Sequence, residues 1–137
     1  MNLALNEARL AFSNQEVPVG AVLVKENKII SQSFNQSISK NDPSGHAEMN
    51  VLRDASKKLN NYRLNGCSLY VTLEPCIMCA GAAFWSKIPK IVFGARDEKN
   101  GFLTVAPNIF HSKIQIEAGV LGDECRQILL DFFAKKR

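Results

Sequence analysis

At 137 residues the chain has the size of one ordinary domain, 1–137, with room for one continuous core and none for a second. An apolar share of 46% and a charged share of 22% match a globular protein in water, and no apolar run approaches the roughly 20 residues of a membrane span. The net charge of +4 favours a polyanionic partner only weakly, and the amino terminus lacks the pattern of a secretory leader, which makes the cytoplasm the expected compartment.

Leu3, Leu5, Ala8, Leu10, Ala11 and Phe12 fall at helical spacing, so residues 2–14 predict an amphipathic helix that ends at Ser13-Asn14-Gln15. Val19 to Val24 is rich in β-formers, Glu26-Asn27 is a two-residue turn candidate, and Lys28 to Phe34 alternates as a returning strand. After a polar stretch from Asn35 to Gly45, a helix is expected from near His46 through Val51, Leu52, Ala55 and Leu59, stopped by Asn60-Asn61. Cys67 to Leu73 reads as a strand, and Pro75 favours a helix opening at Cys76 and closed by Ile88-Pro89. Lys90 to Phe93 predicts a short strand, Gly94 to about His111 a loop, Lys113 to Glu117 a last strand, and Gly122-Asp123-Glu124 the start of a terminal helix. The order αββαβαββα, with helices crossing between strands, predicts a three-layer α/β/α domain.

Two segments carry chemistry, Gly45-His46-Ala47-Glu48 and Glu74-Pro75-Cys76-Ile77-Met78-Cys79, each at the amino end of an expected helix. Cysteines three apart share a helix face and can chelate one borderline-soft ion such as zinc. The helix dipole and the metal both favour the thiolate form. His46 would complete three protein ligands with Cys76 and Cys79, leaving a fourth tetrahedral position for water, which marks a catalytic zinc over a structural one. Such water is acidified from a pKa of about 15.7 toward about 7, so hydroxide is within reach at neutral pH. Glu48, two residues past His46, points differently on its helix and can shuttle protons without being a ligand. A Cys-x-x-Cys alone also fits a redox pair or half of a zinc ribbon, but Cys67 and Cys125 are far apart and form no second pair. Both are read as buried small apolar residues.

His-x-Glu followed by Pro-Cys-x-x-Cys is the signature of the zinc nucleobase deaminases. Together with Glu16 to Val22, Asn35, Asp42-Pro43-Ser44, Asn61 to Leu64, Tyr70 to Cys76, Met78 to Ala82 and Phe93 to Asp97, the chain resembles the bacterial tRNA-specific adenosine deaminases, within the zinc-dependent cytidine and deoxycytidylate deaminase superfamily. The resemblance implies a cytidine-deaminase-like fold with a mixed sheet of about five strands. It implies one zinc ion per subunit held by His46, Cys76 and Cys79, with Glu48 as the proton shuttle. Asn35 would hydrogen-bond the adenine, the Ala47 backbone would read its edge, and Val17 would lie against the ring. The implied substrate is the wobble adenosine of a tRNA anticodon stem-loop, splayed from the loop and converted to inosine. A homodimer is implied, with no nucleotide cofactor and no membrane.

Asp97 resembles an acid that senses the ribose 2′-OH, and as a residue it equally fits a turn cap. Phe132, Phe133 and the basic tail resemble an RNA-contacting terminal helix, against which stands one phenylalanine in the core and lysines that merely solvate the end. The segment Glu98 to Phe110 departs from the family pattern, and its contacts are not carried over. Two other readings stay open: a deaminase of free guanine or cytosine on the same fold, and a non-catalytic RNA-binding subunit that keeps zinc as a pin. Glu48 speaks against the latter, because a structural site has no use for a non-ligating acid.

Overall fold

A computed structural model describes residues 1–111 and 113–136; Arg137 of the basic tail lies outside them. In chain order the elements are α1 (Asn2–Ser13), β1 (Gly20–Lys25), β2 (Lys28–Phe34), α2 (Ala47–Lys58), β3 (Cys67–Leu73), α3 (Ile77–Trp85), β4 (Lys90–Ala95), α4 (Phe102–Val105), β5 (Gln115–Ala118) and α5 (Gly122–Lys135). The strands form one mixed sheet in the order β2-β1-β3-β4-β5. β1 runs antiparallel to β2 and β3, whereas β3, β4 and β5 are parallel.

The hairpin closes as its turn residues dictate: Glu26 and Asn27 both adopt positive φ, 52° and 63°, which a two-residue type I′ turn requires. Parallel pairing of β3 with β4 needs a crossover, which α3 supplies. Alternating strand residues sort the layers. Ala21 and Leu23, Leu69 and Val71, and Ile91 and Phe93 meet Val51, Leu52 and Ala55 of α2 and Ala80 and Ala83 of α3 in the main core. On the other face α1 lies over β1 and α5 over β4, completing the expected α/β/α sandwich with a five-stranded mixed sheet. Phe132 is buried and meets Phe12 edge-on at 5.8 Å, so it docks α5 onto α1, while Phe133 stays exposed.

Four boundaries differ from expectation. Cys76 is an N-cap, not the first helical residue, so Pro75 precedes the α3 cap instead of lying in its first turn, whereas the helix expected near His46 begins at Ala47 with His46 as its cap. β4 continues through Gly94 and Ala95, because Gly94 is bare to admit Cys125 of α5: a Cβ there would press on the Cys125 side chain. The stretch expected as loop holds the single turn α4, too short to leave a periodic signal. The last strand is shifted to Gln115–Ala118, an exposed edge on which no buried face fixes the register.

Gly20 makes the closest approach between layers, since a Cβ would collide with the Ala4 carbonyl oxygen and the Ala8 nitrogen of α1. Both obstacles are backbone, so the helix itself would have to shift. Gly20→Ala is expected to destabilise the fold by about 1–3 kcal/mol, read as a lower urea midpoint at unchanged slope. An unaltered midpoint would mean that α1 is loosely seated.

Candidate metal centre and active site

The site forms where the carboxyl end of β3 meets the amino termini of α2 and α3, the usual crevice of an open α/β sheet. His46 caps α2 in extended backbone (φ −72°, ψ 152°), and Cys76 caps α3 likewise (φ −74°, ψ 174°). Each side chain therefore projects off a helix end, and Cys79 joins them from the first turn of α3. His46 Nδ1 lies 3.6 Å from Cys76 Sγ and 3.5 Å from Cys79 Sγ. A tetrahedral zinc with Zn–N of about 2.05 Å and Zn–S of about 2.3 Å would separate nitrogen from sulfur by about 3.6 Å, so the donors stand where that ion needs them. The three ligand atoms all lie within 4.8 Å of one another, which suits one ion bound by three groups.

The charges agree with that reading. The hydrogen bond from Cys79, and then the neighbouring His46, lower the Cys76 thiol to about 4. The Cys76 sulfur and burial hold the Cys79 thiol well above its ordinary value, so without an ion the pair keeps one proton. Partnership with Cys76 raises the imidazole of His46. A dication replaces those protons, since a coordinating thiol is deprotonated outright. Burial lifts the Glu48 carboxyl from the ordinary range to about 7, a shift that its own backbone N–H and His46 only partly oppose.

Above the cluster opens a cavity of about 460 Å³, lined at its base by His46, Glu48 and Cys76. Val17, Asn35, Ala47 and Asp97 all line it, so four of the five expected substrate contacts converge on one space. Asn35 is buried; its backbone N–H donates to the Val19 carbonyl at 3.0 Å, and its Oδ1 accepts from Ser37 Oγ at 3.2 Å. Asp97 caps its turn, its Oδ1 accepting the backbone N–H of Lys99 at 3.2 Å and of Asn100 at 3.0 Å, and it also borders the cavity. Phe133 does not reach the cavity. It lies in an adjoining groove with Arg96, Lys99 and Arg126, and this groove shares Val17, Leu73 and Asp97 with the cavity wall.

A model of the cytidine and deoxycytidylate deaminase zinc-binding region matches residues 1–95, the span that holds His46, Glu48, Cys76 and Cys79. The chain belongs to the cytidine and deoxycytidylate deaminase family. Among members of that family it is 45% identical to the tRNA-specific adenosine deaminase of Buchnera aphidicola subsp. Schizaphis graminum (strain Sg), over all of this chain and 93% of that one. A solved tRNA:A34 deaminase, studied for A-to-I editing at the wobble position of transfer RNA, superposes with a TM-score of 0.89 and 41% identity, covering 94% of this chain and 97% of that one. Guanine deaminase from Bacillus subtilis is also similar, with a TM-score of 0.67 and 33% identity over 80% of this chain and 67% of that one.

Two carboxylates that build this deaminase site escape a reading of the sequence. Glu16 is buried, and its oxygens accept the N–H of Ile38 at 3.0 Å and of Ser39 at 2.7 Å, which fixes the segment carrying Asn35, Ser37 and Ile38 beside the cavity. Glu74 is buried beside Cys76 and accepts from Arg96, Asp97 and Leu103. The available signal was an acid set directly beside apolar β-forming residues, Glu16 before Val17 and Glu74 after Leu73. Such an acid is buried only when it is paired.

Proposed function

We propose that this protein is a hydrolytic deaminase that converts the wobble adenosine of a tRNA anticodon loop to inosine, consuming water and releasing ammonia. The observation that carries the reading is the convergence, in one cavity, of a His46, Cys76, Cys79 metal cluster with a buried acid outside it, Glu48. Those three residues would hold zinc, which when bound supplies Lewis acidity toward water. Glu48 carries one proton from the attacking water to the ring nitrogen, then takes the second from the added hydroxyl as the carbonyl forms and gives it to the departing amine, which leaves as ammonia. Asn35 and the Ala47 backbone orient the flipped adenine, Val17 packs on its face, and Asp97 stands where a ribose 2′-OH would meet the wall. The groove, which holds Arg96, Lys99, Arg126 and Phe133 beside the acids Asp97 and Glu98, would take the flanking nucleotides, with Lys99 and the exposed faces of the two ion-paired arginines toward phosphate and the aromatic ring toward a base.

The protein acts in the cytoplasm and as a homodimer; Ile77 and Trp85, both on α3, are large and exposed, as an interface requires. Among the described residues no helix is long and apolar enough to cross a membrane.

Zinc-loaded protein incubated with an anticodon stem-loop bearing a wobble adenosine is expected to form inosine, with free guanine and free cytosine as parallel substrates. Release of ammonia from a free base with no inosine in the RNA would reassign the substrate. Phosphate contacts in the groove also make RNA affinity fall steeply with salt, with a logarithmic slope of about −0.7 per phosphate for single strands. A salt-independent affinity would remove the groove from the binding site.

A further inference from the structure

The carboxylate of Glu74 is fully buried at the end of β3, one proline before Cys76, and each hydrogen bond found for its side chain comes from the segment 96–103. Oε1 accepts Arg96 Nε at 2.7 Å and the Asp97 N–H at 3.1 Å. Oε2 accepts the Leu103 N–H at 3.0 Å. The same segment is fastened twice more, by the Phe102 N–H donating to the Pro75 carbonyl at 2.9 Å and by an antiparallel bridge between Cys76 and Gly101. Gly101 passes so close that any Cβ would collide with the Glu74 carboxylate. This segment brings Asp97 and Asn100 to the cavity.

Three donors converge on a group that only accepts. Glutamine has the same length, but one of its two positions is an NH2; with its oxygen toward Arg96 and Asp97 it would point N–H at the Leu103 N–H, leaving a buried donor unpaired. Aspartate is too short to span the same gap.

We propose that Glu74 is a positioning residue for substrate. It fastens the 96–103 segment to the chain that delivers Cys76, and so holds Asp97 and Asn100 at a fixed place relative to the metal cluster. The assignment rests on reading the cavity as a deaminase substrate site. Glu48 sits on α2, and none of the hydrogen bonds found for the Glu74 carboxylate reaches that helix, so displacing the segment weakens the grip on the nucleotide and leaves proton transfer intact.

Glu74→Gln and Gly101→Ala attack this contact from opposite sides, the second keeping the carboxylate. With zinc-loaded protein and the anticodon stem-loop, both are expected to raise KM about tenfold or more while kcat stays within about threefold, since tenfold is about the free energy of one hydrogen bond to a charged group. Zinc content is expected to stay at the wild-type level, and hydrogen exchange to quicken in 96–104 but not in 35–45 or α2. Unchanged KM, a fall confined to kcat, or zinc loss with faster exchange throughout would overturn the proposal. If Glu74→Gln fails to fold, Gly101→Ala decides. A wild-type protein inactive on the stem-loop defeats the functional reading alone, and the exchange experiment still tests the fastening.

Discussion

Replacing Glu48 by glutamine is expected to lower turnover by about 10² to 10⁴ while zinc content is unchanged, because the amide matches the carboxyl in size and cannot take up a proton. Glu48 is buried at the base of the cavity, yet it is not one of the three groups that gather around the ion. Its side chain therefore affects the chemistry and leaves the metal's ligands in place. Elemental analysis of the purified variant and single-turnover inosine formation separate the two effects. Zinc lost together with activity would make Glu48 a ligand, and the proton-shuttle assignment would fail.

Cys76→Ala is expected to abolish both. It removes the ligand that caps α3 and the group lowered to about 4, the readiest thiolate of the cluster. Metal affinity should fall well beyond the roughly 10–100-fold typical of losing a supporting residue, because two donors remain where three converged. Zinc binds the folded chain, so the wild-type melting temperature should rise with zinc concentration and the variant's should not. Cys67→Ala is the control: that cysteine is buried in the main core, away from the cluster, and its loss should cost stability without touching the metal. A Cys76 variant that keeps full zinc would remove the cluster from the mechanism.

What was legible in the sequence was what is decided within a few residues. Glu26-Asn27 closes its hairpin through its own backbone preferences, and Cys76 and Cys79 converge because a helical turn brings them together. His46 was legible through its pairing with Glu48 at a helix start, though no local rule brings it to Cys76; the sheet does that. Gly94 misled because a glycine looks the same whether it ends a strand or clears space for a neighbouring helix, and Cys125, the reason for the second use, lies 31 residues on (125 − 94). Glu16 and Glu74 were opaque for a related reason. Apart from the Arg96 side chain on Glu74, their partners are backbone N–H groups of Ile38, Ser39, Asp97 and Leu103, which carry no side-chain identity to read. An acid that satisfies remote main chain is indistinguishable, in one sequence, from an acid that meets solvent.

The contact between Gly94 and Cys125 has a mechanical consequence. With no side chain to cushion it, α5 rests on the bare backbone of β4, and two residues further along that strand's path the chain becomes Arg96 and Asp97. Close-packed interiors transmit strain with little give. A side chain added at Gly94 would therefore have to be taken up by movement of α5 or of the strand end that leads to Asp97 on the cavity wall.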